Sequence, residues 1–227
     1  NLIENKNLNS IKHILLTASG GPFYGKNIKL SKVSPSEAIK HPNWQMGKKI
    51  SVDSANLMNK ILEVIEASLI FNLPINRFKI IIHPQSLIHA IVEFENGLSS
   101  MLHHVNDMKI PIANSLYDNS YIDFKKKNLF YSDRNLSFYS PDKKKFPSTK
   151  ILKLTQILNE TGFILINVLN EILVMKFLDK KINFTDIVHN LLDILNSKLV
   201  KNYLKNNRIR HINDVFKAYN FSRSLLN

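Results

Sequence analysis

The sequence predicts an α/β unit followed by a small helical bundle, and three observations carry that prediction. Short apolar runs bounded by turn residues alternate with helical stretches over residues 1–117. Beyond Pro147 the apolar period turns helical and stays so to the end of the chain. Between them, residues 118–146 lose periodicity and fill with Ser, Asp, Asn, Tyr and two lysine triplets, Lys125–Lys127 and Lys143–Lys145, which reads as a linker. The expected units are therefore 1–117, 118–146 and 147–227.

Taken in order, Ile11–Thr17 is a short apolar run that ends at Ser19-Gly20-Gly21-Pro22, the signature of a strand running into a turn. Residues 23–49 read as a long loop holding one short helix at Ser34–Lys40, opened by Ser34-Pro35-Ser36-Glu37. A loop of that length inside a compact unit points to function or disorder. Ser51–Phe71 has the strongest helical pattern in the chain. Lys79–His83 and Ile88–Phe94 read as strands. Asn96-Gly97 is a hairpin turn that returns Leu98–Val105 as a partner strand, and Met108–Tyr117 reads as a helix. Four helices follow, at Ser148–Leu158, Phe163–Asp179, Phe184–Leu204 and Ile212–Leu225, with Thr185-Asp186 and Asn213-Asp214 as caps of the last two.

Composition excludes several classes. The 227 residues hold no Cys, so a disulfide scaffold, a thiol enzyme and a Cys-ligated metal are ruled out. No uncharged apolar run reaches the roughly 18 residues of a membrane span; the longest candidate, Phe163–Leu178, is interrupted by Asn167, Asn170, Glu171 and Lys176. The net charge of +13 raises nucleic acid as a partner. Its lysines, however, are spread among Asn and Ile along the whole chain, with no aromatic interleaving, and read as a solvated, AT-biased surface. Neither nucleic acid nor membrane is the expected partner.

The residues able to carry chemistry gather on the Ser51 helix. Asn56, Asn59, Lys60, Glu63 and Glu66 recur at three and four residues and so share a face. One reading is an amphipathic surface helix with a modest Lys60–Glu63 pair. The other is an anion site, with Ser54 at the helix start, Asn59 and Lys60 as donors one turn on, and Glu63 as a hard oxygen beyond. Ser19-Gly20-Gly21 offers a second cradle of hydroxyl and close backbone. His41-Pro42-Asn43-Trp44-Gln45-Met46-Gly47 holds the only Trp of the chain, either as an aromatic pin for a loop or as a lid that excludes water. His83, Ser86 and His89 read as hydrogen-bonding or core residues more readily than as metal ligands. His103-His104 carries less, because strand neighbours point to opposite faces.

The runs LLTASGGPF, HPNWQMGKKISVDSANLMNK, HPQSLIH and DMKIPIA together closely resemble the 1-deoxy-D-xylulose 5-phosphate reductoisomerase family. LSFYSPDKKKFP and INFTDI are similar to its linker and C-terminal helical domain. The resemblance implies rearrangement of a sugar phosphate in non-mevalonate isoprenoid synthesis. The aldehyde formed is then reduced by NADPH with Mg²⁺, Mn²⁺ or Co²⁺, giving 2-C-methyl-D-erythritol 4-phosphate. It implies substrate contacts at Ser19, His41, Ser54, Asn59, Lys60 and Glu63, and catalytic or lid roles for His41, Trp44 and Met46. Gly47 falls where the family touches cofactor, and Glu63 where it binds metal. Residues 20–47 form the lid loop of the implied scheme, in a homodimer of the bacterial cytoplasm.

Departures from the family are equally legible. No G-x-G-x-x-G occurs, and nothing before Ile11 matches the family's acidic D-S-E metal segment. Ala18, Ile61 and Asn106 replace two glycines and a proline. With Asn1 rather than Met at its start, the chain is expected to be the C-terminal portion of the enzyme. Its α/β catalytic domain is then incomplete and inactive alone; the alternative is a non-catalytic remnant or assembly module.

Overall fold

The structure, a computed structural model, describes residues 2–3, 6–41, 46–116 and 135–226. Strand β1 (Ile11–Ala18) lies at the heart of a four-stranded sheet. β2 (Phe78–Ile82) pairs parallel to it on one side and β3 (Ile88–Phe94) antiparallel on the other, with β4 (Ser99–His103) at the far edge. The predicted hairpin forms: Gly97 takes φ +86°, and Asn96 Oδ1 accepts from the Leu98 amide at 3.1 Å. Register pairs Ala18 with Ile82, Leu16 with Ala90 and Ile88 with His103. The end of β1, the start of β3 and the end of β4 therefore meet at one end of the sheet.

Helices α1 (Pro35–Ala38), α2 (Lys48–Ala55), α3 (Met58–Ile70) and α4 (Lys109–Leu116) belong to this unit. α1 starts where the sequence places it, with Glu37 Oε2 accepting from the Ser34 amide at 2.8 Å. The single helix expected over Ser51–Phe71 is two. Asn56 turns its side chain back on the backbone, Oδ1 accepting from the Met58 amide at 3.0 Å, and Leu57 enters the left-handed region at φ +71°. A short amide competing with the helix ladder is what ends α2 there. α3 then packs on β1 and β2, burying Met58, Ile61, Val64 and Ile65.

The tail comprises α5 (Thr149–Thr155), α6 (Glu160–Leu178), α7 (Phe184–Asn196), α8 (Lys198–Asn206) and α9 (Ile212–Ser224). The helix expected over Phe184–Leu204 is also two, because Ser197 caps α8 by accepting from the Val200 amide at 3.2 Å. Of the expected cap pairs, Asp186 and Asp214 take part, as the third-position partners of the N-cap residues Asn183 and His211. Asn159 opens α6, accepting from the Gly162 amide at 3.1 Å. Asp186 reaches back to the Asn183 amide at 2.9 Å, and Asp214 to the His211 amide at 3.2 Å. α6 is long and apolar enough to cross a membrane by length and composition. Here it is the central helix of the bundle, packed on α7, α9 and α2.

One hydrophobic cluster runs from Ile11 to Ala218 across both units. Phe23, in the expected loop, meets Phe184 edge-on at 5.4 Å, and Phe184 in turn meets Phe177 at 5.6 Å. The described part of the expected linker is tied down as well. Tyr139 exchanges backbone bonds of 2.8 and 2.9 Å with Ile82, and Lys145 Nζ donates to the carbonyls of Phe23 and Lys26.

Candidate active site

The sheet end at Ala18, the α2–α3 elbow, His41 and the Met46–Gly47 pair line a cavity of about 650 Å³. Ser19, His41, Met46, Gly47, Ser54, Asn59, Lys60 and Glu63 all line it. These eight residues, read in the sequence as substrate, lid, cofactor or metal contacts, are thus brought to one place from four separate segments. Trp44 lies outside the described residues.

Each side chain arrives for a local reason. β1 delivers Thr17, whose Oγ1 donates to the Ile88 carbonyl at 2.6 Å, and then Ser19 at the turn. Ser19 Oγ accepts from the Gly21 amide at 3.1 Å and lies 3.1 Å from His41 Nε2. Burial pushes the His41 pKa down, so the ring is neutral at physiological pH. Gly21, at φ +71°, lets the turn close on the elbow: a Cβ there would stand 2.9 Å from the Ala55 Cα and the Ser54 carbonyl. Only a residue without a side chain fits that approach.

The elbow changes the expected anion argument. Ser54 is not at a helix start but next to last in α2. The helix start facing the cavity is that of α3, with Asn59 and Lys60 in its first turn, so the free amides and positive dipole end belong there. Asn56 does not share the face either; it is buried, and Glu66 is exposed and outside the cavity. Asn59 Nδ2 donates to Glu63 Oε1 at 2.8 Å, and Lys60 Nζ pairs with Glu63 Oε2. The carboxylate thus engages both donors.

That arrangement bears on a metal ion. Glu63 is one carboxylate with both oxygens engaged, and among the described residues no group of three His, Asp or Glu side chains is placed to share an ion. A Mg²⁺ site needs more hard oxygens than this. By themselves, the described residues do not fit a divalent-metal centre. Gly47 has open space where a Cβ would stand, so a bound group can approach its backbone.

The cavity is also lined by Ser86 and His89, read in the sequence as hydrogen-bonding or core residues, and by His104, which the sequence gives little weight. His89 Nε2–H donates to the His104 carbonyl at 3.0 Å, and the two rings stack at 3.7 Å. His104 Nδ1–H donates in turn to the Val105 carbonyl at 2.7 Å. Carbonyls only accept, so both tautomers are fixed. Burial, then the neighbouring His104, Lys60 and His103, lower the His89 pKa to about 4 despite the His104 bond. A register shift between Ile88 and Ala90 on β3 is the local irregularity beside His89. His83, by contrast, is the core residue expected, buried against Phe138 with Nδ1–H on the Ser137 carbonyl at 2.9 Å.

Known proteins match this chain over both units. The 1-deoxy-D-xylulose 5-phosphate reductoisomerase C-terminal domain matches residues 1–71, and the DXP reductoisomerase C-terminal domain matches residues 104–225, more than half of the chain. The reductoisomerase of Pelagibacter ubique is 43% identical over 220 residues, covering 94% of this chain and 55% of that protein. That of Buchnera aphidicola from Acyrthosiphon pisum is 44% identical, covering 83% and 48%. A DOX-P reductoisomerase crystallised with NADPH, fosmidomycin and magnesium superposes with a TM-score of 0.88 at 36% identity, covering 95% and 54%. The Zymomonas mobilis enzyme with NADPH gives 0.78 at 34% identity, covering 95% and 55%. The chain spans about half the length of the curated relatives it matches. On its sequence, its fold and its domain matches, the chain belongs to the 1-deoxy-D-xylulose 5-phosphate reductoisomerase family.

Proposed function

We propose that this chain forms the substrate-holding part of an enzyme that converts 1-deoxy-D-xylulose 5-phosphate to 2-C-methyl-D-erythritol 4-phosphate with NADPH. The carrying observation is the convergence of Ser19, Ser54, Asn59 and Lys60 on one cavity at the start of α3. Two hydroxyls, an amide and an ammonium suit a phosphate dianion. Gripping the phosphate at one end lets binding energy orient the reacting carbons at the other.

His41, held against Ser19, is assigned to the substrate's polar face. Met46, with Trp44 beside it in sequence, is assigned to the covering segment. Phe23, Val33 and Ala38 are buried in the core, so the 23–38 part of the expected 20–47 lid belongs to the fixed scaffold. Gly47 is the chain's assigned point of approach for the nicotinamide cofactor. Glu63 offers one carboxylate to a Mg²⁺, Mn²⁺ or Co²⁺ ion, whose remaining protein ligands have to come from beyond the described residues. The chain alone therefore binds substrate without turning it over.

The reading extends to a homodimer, for which β4 is the sheet edge among the described residues, with Leu98 and Met101 exposed. It also extends to a bacterial cytoplasmic enzyme, in line with the bacterial relatives. Calorimetry with 1-deoxy-D-xylulose 5-phosphate tests the assignment. The 227-residue chain is expected to bind it, with about a tenfold or larger loss in Lys60→Ala. Adding NADPH and Mn²⁺ should produce no NADPH oxidation. Absence of binding, or equal binding by Lys60→Ala, contradicts the assignment.

A further inference from the structure

Behind the elbow, on the side away from the cavity, lies a polar cluster that the binding site does not use. Asp53, Asn56, Ser148 and Asn170 are all at most 3% exposed. Asn170, from α6, donates to Asp53 Oδ1 at 2.9 Å, and Lys49 Nζ lies 2.7 Å from Asp53 Oδ2. Ser148, just before α5, donates its hydroxyl to the Asn56 carbonyl at 2.6 Å. The bundle thus holds the elbow at both residues flanking Ser54 and Ala55.

Stability alone is a poor reason for such a cluster. Buried polar groups and charges pay for desolvation, and well-packed apolar residues do as well or better. Burial raises the Asp53 pKa even against Lys49 and Asn170. Asn56 Nδ2 and Asn170 Oδ1 are left buried without a hydrogen-bond partner among the described residues, a further cost. Meanwhile Leu57, the residue directly after the Asn56 tie, sits in the left-handed region that disfavours a residue with a Cβ. A strained turn of this kind persists only where its surroundings over-determine it. The residues it places are Ser54 before the turn and Asn59 and Lys60 after it.

We infer that the helical tail is a clamp on the α2–α3 elbow, with Ser148 and Asn170 as positioning residues for the anion seat formed by Ser54, Asn59 and Lys60. The inference rests on the phosphate reading of that cavity and extends it to the second unit of the chain. Loosening either tie lets the turn relax and moves three donors out of register at once, although neither Ser148 nor Asn170 lines the cavity.

The test uses the whole ¹⁵N-labelled chain, inorganic phosphate as probe and a chelator to exclude metal. Ser148→Ala and Asn170→Leu are compared with Ser148→Thr, which keeps the hydroxyl. In the folded variants, phosphate affinity read from the Asn59 and Lys60 amides is expected to fall about fivefold or more, with Ser148→Thr restoring it. Hydrogen exchange of the Met58–Lys60 amides is expected to quicken while that of β1 is unchanged. Should Asn170→Leu not fold, Ser148→Ala, which removes one oxygen, decides the matter. Wild-type affinity and unchanged elbow exchange in folded Ser148→Ala overturn the clamp. If wild-type spectra ignore phosphate, the anion reading fails instead, and elbow exchange alone then decides for or against the clamp.

Discussion

The two walls of the cavity are built on opposite plans. The elbow wall is α2 and α3, with Val52, Met58, Ile61 and Val64 fully buried and buried polar ties behind it. The other wall is the start of β3 and the end of β4 together with α4; no residue of α4 is buried, and Met108 just before it is 54% exposed. Its polar residues are two stacked imidazoles tied to backbone carbonyls. The donors proposed for the anion on α2 and α3, Ser54, Asn59 and Lys60, stand on the well-packed wall, and the wall with few buried contacts is the one better able to adapt.

Four measurements break or sharpen that contrast. The largest effect is in packing. Met58→Ala should cost about 2–5 kcal/mol by urea unfolding, whereas Met108→Ala should stay within about 0.5 kcal/mol. Equal costs would erase the difference between the walls. Next, Gly21→Ala adds a Cβ 2.9 Å from the Ala55 Cα at a φ of +71°. It should cost about 1–3 kcal/mol and weaken phosphate binding, because the turn is pushed off the elbow.

The third concerns protons. His89 has its pKa lowered to about 4, below the ordinary value of 6.5, so the folded chain binds fewer protons than the unfolded one between these limits. Stability is then full above pH 6.5, falls as the pH drops toward 4, and is flat below. Allowing for partial solvent exposure, the loss is about 1–2 kcal/mol. His89→Gln should remove that slope, and an unchanged slope would detach His89 from it. The smallest effect is at Glu63, which holds Asn59 and Lys60. Glu63→Gln should tighten metal-free phosphate binding by about threefold to tenfold, since one competing charge is removed. Weaker binding would mean that Glu63 orients those donors rather than competing for them.

Much of the site was legible because its residues are of unusual type in unbroken runs. Ser19-Gly20-Gly21 and Ser54 through Glu63 announce donors at helical spacing, and the structure brings them together. What periodicity could not show were the breaks. Asn56 and Ser197 both lie inside apolar patterns that continue past them, and only their capping bonds divide the helices. Asn at such a position is a signal, since its amide competes with the backbone, but apolar spacing outweighed it. Ser54 was consequently put at the wrong end of a helix. His89 and His104 were undervalued for another reason. They are 15 residues apart, and only the β3–β4 register stacks one on the other. The ties of Asp53 to Asn170 and Asn56 to Ser148 span 117 and 92 residues and leave no local trace.

Amide mapping with 1-deoxy-D-xylulose 5-phosphate on the labelled chain tests most directly whether one seat holds the phosphate. Ser19, Ser54, Asn59 and Lys60 should shift together along a single saturation curve, with the β2 amides unmoved. Separate curves for Ser19 and for the α3 residues, or no response from α3 at all, would contradict the shared seat.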